Sequence, residues 1–201
     1  YGATIVAPFM AQAGIQYMSA PTIACFDSGQ FVLGQTVDAV VYHSMFDAFG
    51  EAIITDEIAS TFEPVNGSNP TVHVVSDTRY ILAWNGSGYG DENGVFFQLF
   101  DRQGNKLGDK SLANMAIPGG QGYLNRIRIA SAEDGSFVIA WGCLMEDMDR
   151  DVFARPFLPG GAAAGDEFQI SDTTVGAQMF GGVDYIGNGK YAFVWHAPGA
   201  N

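Results

Sequence analysis

Positive charge is what this sequence has least of. Nine Lys and Arg stand against 22 Asp and Glu in 201 residues, a formal charge of −13. A surface of that sign repels phosphate backbones and anionic lipid, so nucleic acid is excluded as a partner. Long apolar runs are missing too. The longest, Phe137 to Met145, is about half a membrane span, so no membrane insertion is expected. The only cysteines are Cys25 and Cys143. They lie far apart, without metal-ligand spacing, and define neither a disulfide framework nor a zinc site. No stretch holds a helical period between caps, which excludes coiled coils and long-helix bundles. Nucleophile-elbow, phosphate-loop, dinucleotide and zinc-protease motifs are all absent. The first residues carry neither a basic segment nor an initiating Met. They are not expected to be a signal peptide, and a mature end after cleavage or a trimmed segment would both fit.

What is present is apolar and rich in turns. Hydrophobic residues make up 47%, and 26 Gly and 8 Pro punctuate the chain. A repeat organises it. Similar units occupy 22–60, 71–114 and 126–171, with half-units at 182–195 and 4–16. Gln35, Trp84, Trp141 and Trp195 mark the end of each first half, at intervals of 49, 57 and 54. Phe9, Phe46, Phe100 and Phe157 mark the second half, at intervals of 37, 54 and 57.

Each unit reads as four strands joined by Gly turns. The middle strands, such as Val95 to Phe100, are apolar on both faces, so each sheet must be stacked between neighbours. Units of about 50 residues with doubly buried middles describe propeller blades. The expected fold is all-β: one domain over 1–201, a four-bladed β-propeller-like array of four-stranded antiparallel repeats. The fourth blade is shared by 182–195 and 4–16. A β-sandwich and a segment of a longer array are the alternatives. The terminal half-blades would also allow self-association of two chains.

The residues Asp134 to Trp141 and Asn93 to Gly108 resemble repeats of large secreted and cell-surface bacterial proteins. The resemblance covers almost the whole chain with decreasing quality, and Gln35 in place of Trp is the clearest departure. It implies a β-propeller or related β-rich module in an extracellular or cell-surface setting, and no particular ligand.

In a propeller the first strand of each blade lines the centre. Aligning those strands by their apolar alternation puts Ala24, His73, Arg128 and Asp184 at one position. His73, Arg128 and Asp184 are therefore candidates for a ligand site. A His–Asp pair suits general acid–base work, and an Arg suits an anion. A salt-bridge network plugging the centre fits the same three. Asp147, Asp149 and Asp151 have the alternate spacing that suits Ca²⁺, although an acidic solvated loop would read alike. Tyr89 and Tyr123, in Gly-rich loops, are candidates for stacking on sugar. Cys25, aligned with Val74, Ile129 and Tyr185, is expected to face a packed interior, and both thiols are expected to be free. The function expected from repeats, acidity and missing motifs is a non-enzymatic extracellular binding or adhesion module. Its partner would be carbohydrate or another cell-surface ligand. The alternatives are a structural segment of a surface assembly, and a hydrolase or lyase using His73 and Asp184.

Overall fold

The computed structural model describes residues 21–59, 68–88, 91–115, 120–121, 127–145, 150–171 and 176–197. Among them every regular element is a strand. The first sheet holds β1 (Thr22–Cys25), β2 (Phe31–Val37), β3 (Val40–Phe46) and β4 (Ala52–Ile58) in that order. The second holds β5 (Ser68–Ser76), β6 (Arg79–Gly88), β7 (Asp91–Asp101) and β8 (Lys106–Leu112). In the third, β9 (Gly120–Gln121) pairs with β11 (Phe137–Leu144). That sheet otherwise runs β10 (Arg128–Ser131), β11, β12 (Arg150–Phe157) and β13 (Phe168–Gln169). The fourth contains β14 (Met179–Gly187) and β15 (Lys190–His196). The half-unit 4–16, expected to complete this last blade, lies outside the described residues. All pairings are antiparallel.

One turn chemistry serves most of the corners. Phe26–Gln30, Asp47–Glu51, Asp101–Asn105, Ala132–Ser136 and Leu158–Ala162 each close with the same two backbone hydrogen bonds. The fourth residue is Gly29, Gly50, Gly104, Gly135 or Gly161, with φ between 82° and 86°. This is a tight turn ending on a left-handed residue, a conformation that glycine adopts without steric cost. At Gly104 a side chain would also collide with Ile54.

The sheets stack in succession, so that the second and third are covered on both faces, which a two-sheet sandwich does not allow. Between the first and second blades lie Val32, Val41 and Met45 against Tyr80, Leu82, Trp84, Phe96 and Phe100. Between the second and third lie Ile81, Val95, Phe97 and Leu99 against Ile139, Trp141, Phe153 and Phe157. Between the third and fourth, Val138, Ala140, Val152 and Ala154 meet Phe180, Phe193 and Trp195. The middle strands of the second and third blades thus bury both faces, as their unbroken apolar runs require. The Phe anchors stand opposite the aromatic that opens the second strand of their own blade. Phe31–Phe46, Tyr80–Phe100 and Phe137–Phe157 all stack, with centroids 5.0, 5.0 and 5.3 Å apart.

Cys25 departs from expectation. Neither cysteine forms a disulfide, and Cys143 is buried, but Cys25 is exposed. Its equivalent Val74 packs against the blade before it. Cys25 belongs to the first blade, so the same face of its strand has no earlier described blade to cover it.

Candidate functional site

The inner strands β1, β5, β10 and β14 lie against one another in that order. Polar groups tie the seams. Thr22 Oγ1 accepts the Val72 N–H at 3.4 Å, and Thr71 Oγ1 donates to the Ile127 carbonyl at 3.0 Å. His73, on β5, reaches the next blade, where its Nε2 lies 2.9 Å from Ser131 Oγ on β10. Burial holds the His73 imidazole below its ordinary pKa. The Asp184 carboxylate, on β14, pulls in the opposite direction. Asp184 is therefore within electrostatic reach of His73, while its side chain stays exposed and accepts the Tyr185 N–H at 2.9 Å.

Register decides which residues share this position. Ala24 pairs with Val32, His73 with Ile81 and Asp184 with Ala192, in each case the residue after the strand-opening aromatic. The partner of Val138, the matching residue of the third blade, is Ala130. Arg128 pairs with Ala140, two residues further along. It is exposed and donates from Nη1 to its neighbour Ile127's carbonyl at 2.8 Å. The column expected to hold His73, Arg128 and Asp184 thus holds Ala130 in the place given to Arg128. Apolar alternation has a period of two, so a slip of two residues leaves it unchanged.

The other expected site residues fall differently. Asp151 is buried and accepts the Ser171 hydroxyl at 3.1 Å. Ser171 Oγ in turn accepts the Val152 N–H at 3.3 Å. In the second blade Asn114 does the same for Val95 at 2.8 Å and also donates to Asp91 at 2.6 Å. Asp151 thus takes part in fastening an outer strand. Asp147, Asp149, Tyr89 and Tyr123 lie outside the described residues. Among the described residues no three metal-binding side chains gather.

A second polar cluster lies wholly inside the first seam. His43, on β3, is fully buried, and its Nδ1 is 2.7 Å from Tyr80 Oη. Tyr80 Oη also points at Met45 Sδ, at 3.6 Å. Burial, reinforced by the charge of Lys106, pushes the His43 pKa down to about 4. Burial likewise drives the Tyr80 phenol well above its usual range. His43 Nε2 and Thr36 Oγ1 are buried without a hydrogen-bond partner.

No known protein family and no curated protein sequence matches the chain. Solved structures do. An endo-arabinase from Bacteroides thetaiotaomicron VPI-5482 is similar over 96% of this chain and 76% of its own, at 14% identity and a TM-score of 0.53. A structure described as a glycoside hydrolase is similar over 87% of this chain, at 13% identity and a TM-score of 0.50. The chain spans only 42% of that second structure. At such identities the likeness establishes the all-β, propeller-type fold.

The expectation of a non-enzymatic binding or adhesion module needs correction. Proteins sharing this fold include an endo-arabinase and a glycoside hydrolase, and the hydrolase alternative accords with them better. That expectation leaned on the absence of local catalytic motifs. A propeller assembles polar groups from separate blades, so their chemistry leaves no contiguous signature. Ser131 was missed for the same reason. Counting six residues back from each strand-opening aromatic would have found it, because Cys25, Val74, Ser131 and Tyr185 all stand at that distance.

Proposed function

We propose that this chain is a carbohydrate-active propeller that hydrolyses glycosidic bonds in a polymeric glycan. The observation that carries the reading is that Asp184 acts electrostatically on His73 from a separate blade, on a fold shared with glycoside hydrolases. Asp184 would be one of the two carboxylates that glycoside cleavage requires, as nucleophile or base. A half-buried, neutral imidazole beside it supplies a hydrogen-bond partner for a sugar hydroxyl without adding a competing charge. The second carboxylate would come from a loop. Glu146, Asp147 and Asp149, in the sequence joining β11 to β12, are the first to test. A polymeric substrate also carries the expectation of an extracellular setting.

Arabinan is the first substrate to try, followed by other plant and bacterial polysaccharides. The expected result is release of reducing sugar by the chain, lowered at least about a hundredfold by Asp184→Asn, with the far-ultraviolet spectrum unchanged. The factor is of the size seen when acid–base or charge-stabilising groups are lost. Full activity in Asp184→Asn, or no cleavage of any glycan by the unmodified chain, would reject the reading.

A further inference from the structure

We propose that Ser131 is a positioning residue for this site: its hydroxyl donates to His73 Nε2 and fixes the imidazole as the Nδ1–H tautomer. The inference rests on the hydrolase reading for its purpose, but its geometry is independent of it. Two hydrogen-bond arrangements fit an Nε2···Oγ separation of 2.9 Å. In one, His73 donates from Nε2, and the ring then presents a bare lone pair at Nδ1. In the other, Ser131 donates, and the ring presents an N–H at Nδ1.

Three observations favour the second. Nδ1 of His73 has no hydrogen-bond partner among the described residues, so it is the nitrogen left for a ligand. The Asp184 carboxylate acts electrostatically on this ring. A negative charge stabilises an N–H dipole and opposes a lone pair. The Ser131 hydroxyl, for its part, makes no other hydrogen bond among the described residues. If it accepted from His73, its own hydrogen would have no acceptor among the described residues; as donor it leaves the free N–H at Nδ1, where a sugar hydroxyl or Asp184 can accept it. Strand order supports the arrangement, because β10 lies between β5 and β14. Ser131 thus grips the ring from the intervening strand.

A seryl donor on the ring's lone pair favours the neutral imidazole. Ser131 therefore works through His73 and does not itself touch the reacting atoms. It keeps the ring uncharged and its Nδ1–H available to a sugar hydroxyl or to Asp184.

Nuclear magnetic resonance of the intact chain, with ¹⁵N-labelled histidine, separates the alternatives. The unmodified protein should show the Nδ1–H pattern for His73. Ser131→Ala should give a tautomer mixture and a higher His73 pKa, and Ser131→Thr should restore both. On the glycan that the unmodified chain cleaves, Ser131→Ala should lower kcat about tenfold, with KM little changed. The acidic limb of the pH profile should move upward with the His73 pKa. An Nε2–H pattern in the unmodified protein would overturn the proposal, as would an unchanged tautomer and pKa in Ser131→Ala. Because the resonance readout needs no substrate, the positioning role can stand or fall apart from the hydrolase reading.

Discussion

His43 shows how one buried side chain can set the acid tolerance of a seam. Its ring lies between the first two blades, hydrogen-bonded to Tyr80 through Nδ1, with Nε2 unpartnered. The charged and titratable groups that bear on the pair are Lys106 on β8, Glu57 on β4, and Asp101 at the end of β7. Lys106 opposes a second positive charge, and none of the described residues accepts from Nε2 once it is protonated. The folded-state pKa falls from 6.5 to about 4. The unfolded chain therefore binds the proton more readily throughout that interval. The stability contribution is complete above about pH 6.5 and erodes as pH falls towards 4, by about 3 kcal/mol in all. Urea unfolding at a series of pH values should reveal this slope. His43→Gln keeps a donor and an acceptor for Tyr80 but cannot titrate, and it should flatten the slope between pH 4 and 6.5 even if it lowers stability throughout. An unaltered slope in that variant would assign the acid sensitivity to other groups.

At the scale of the strand, the blades repeat their polar fastenings as faithfully as their apolar faces. Two residues before each Phe anchor stand Ser44, Gln98 and Arg155, all buried. Each holds the outer strand where its pairing shifts or thins. Ser44 Oγ accepts the Asp56 N–H at 3.0 Å, and Gln98 Nε2 donates to the Leu107 and Gly108 carbonyls at 3.4 and 3.1 Å. Arg155 Nε donates to the Gly165 carbonyl, and its Nη1 crosses to the Ala113 carbonyl of the second blade, both at 3.1 Å. Gln35, which replaces the Trp of the other units, bonds Asp56 of the same outer strand at 3.1 Å. Arg155→Met fills similar volume but leaves two carbonyls without donors. It should cost about 2–4 kcal/mol in chemical denaturation, more than a single neutral hydrogen bond. A loss under about 0.5 kcal/mol would show that water replaces the guanidinium. The apolar half of this pattern was legible in the sequence, since Trp and Phe recur wherever two blades must fill one seam. The polar half was not, because Ser, Gln and Arg share no obvious kinship until a backbone shows one task done by three chemistries. Arg128 was misplaced for a related reason. Ile127 and Ile129 imitate Val72 and Val74 equally well two residues out of step, and only the pairing of Ala130 with Val138 settles the register.

For the molecule as a whole, the spacing between blades is written at a single position, the residue before each Trp or Gln anchor. It is Gly34, Ala83, Ala140 and Val194, and in the first three blades it faces the blade that follows. In the first seam there is no room for more than Gly34, since a Cβ there would lie 2.7 Å from Leu82 Cδ1 and 3.0 Å from Thr22 Cγ2. Ala83 and Ala140 are completely buried, within the second and third seams. Val194 is 62% exposed, on the face of the fourth blade turned away from the third. Small residues therefore occur where a neighbouring sheet presses close, and a branched one where none of the described residues does. Because each blade touches mainly its neighbours, crowding one seam should weaken that seam without remodelling the others. Ala83→Val and Ala140→Val should each lose about 1–3 kcal/mol, the usual penalty for extra methyl groups in a filled core. Val194→Ala should stay within about 0.5 kcal/mol of the parent, as expected of an exposed site. A large loss on Val194→Ala, measured by the same denaturant titration, would mean that this outer face is packed in solution and that the stack continues beyond β15.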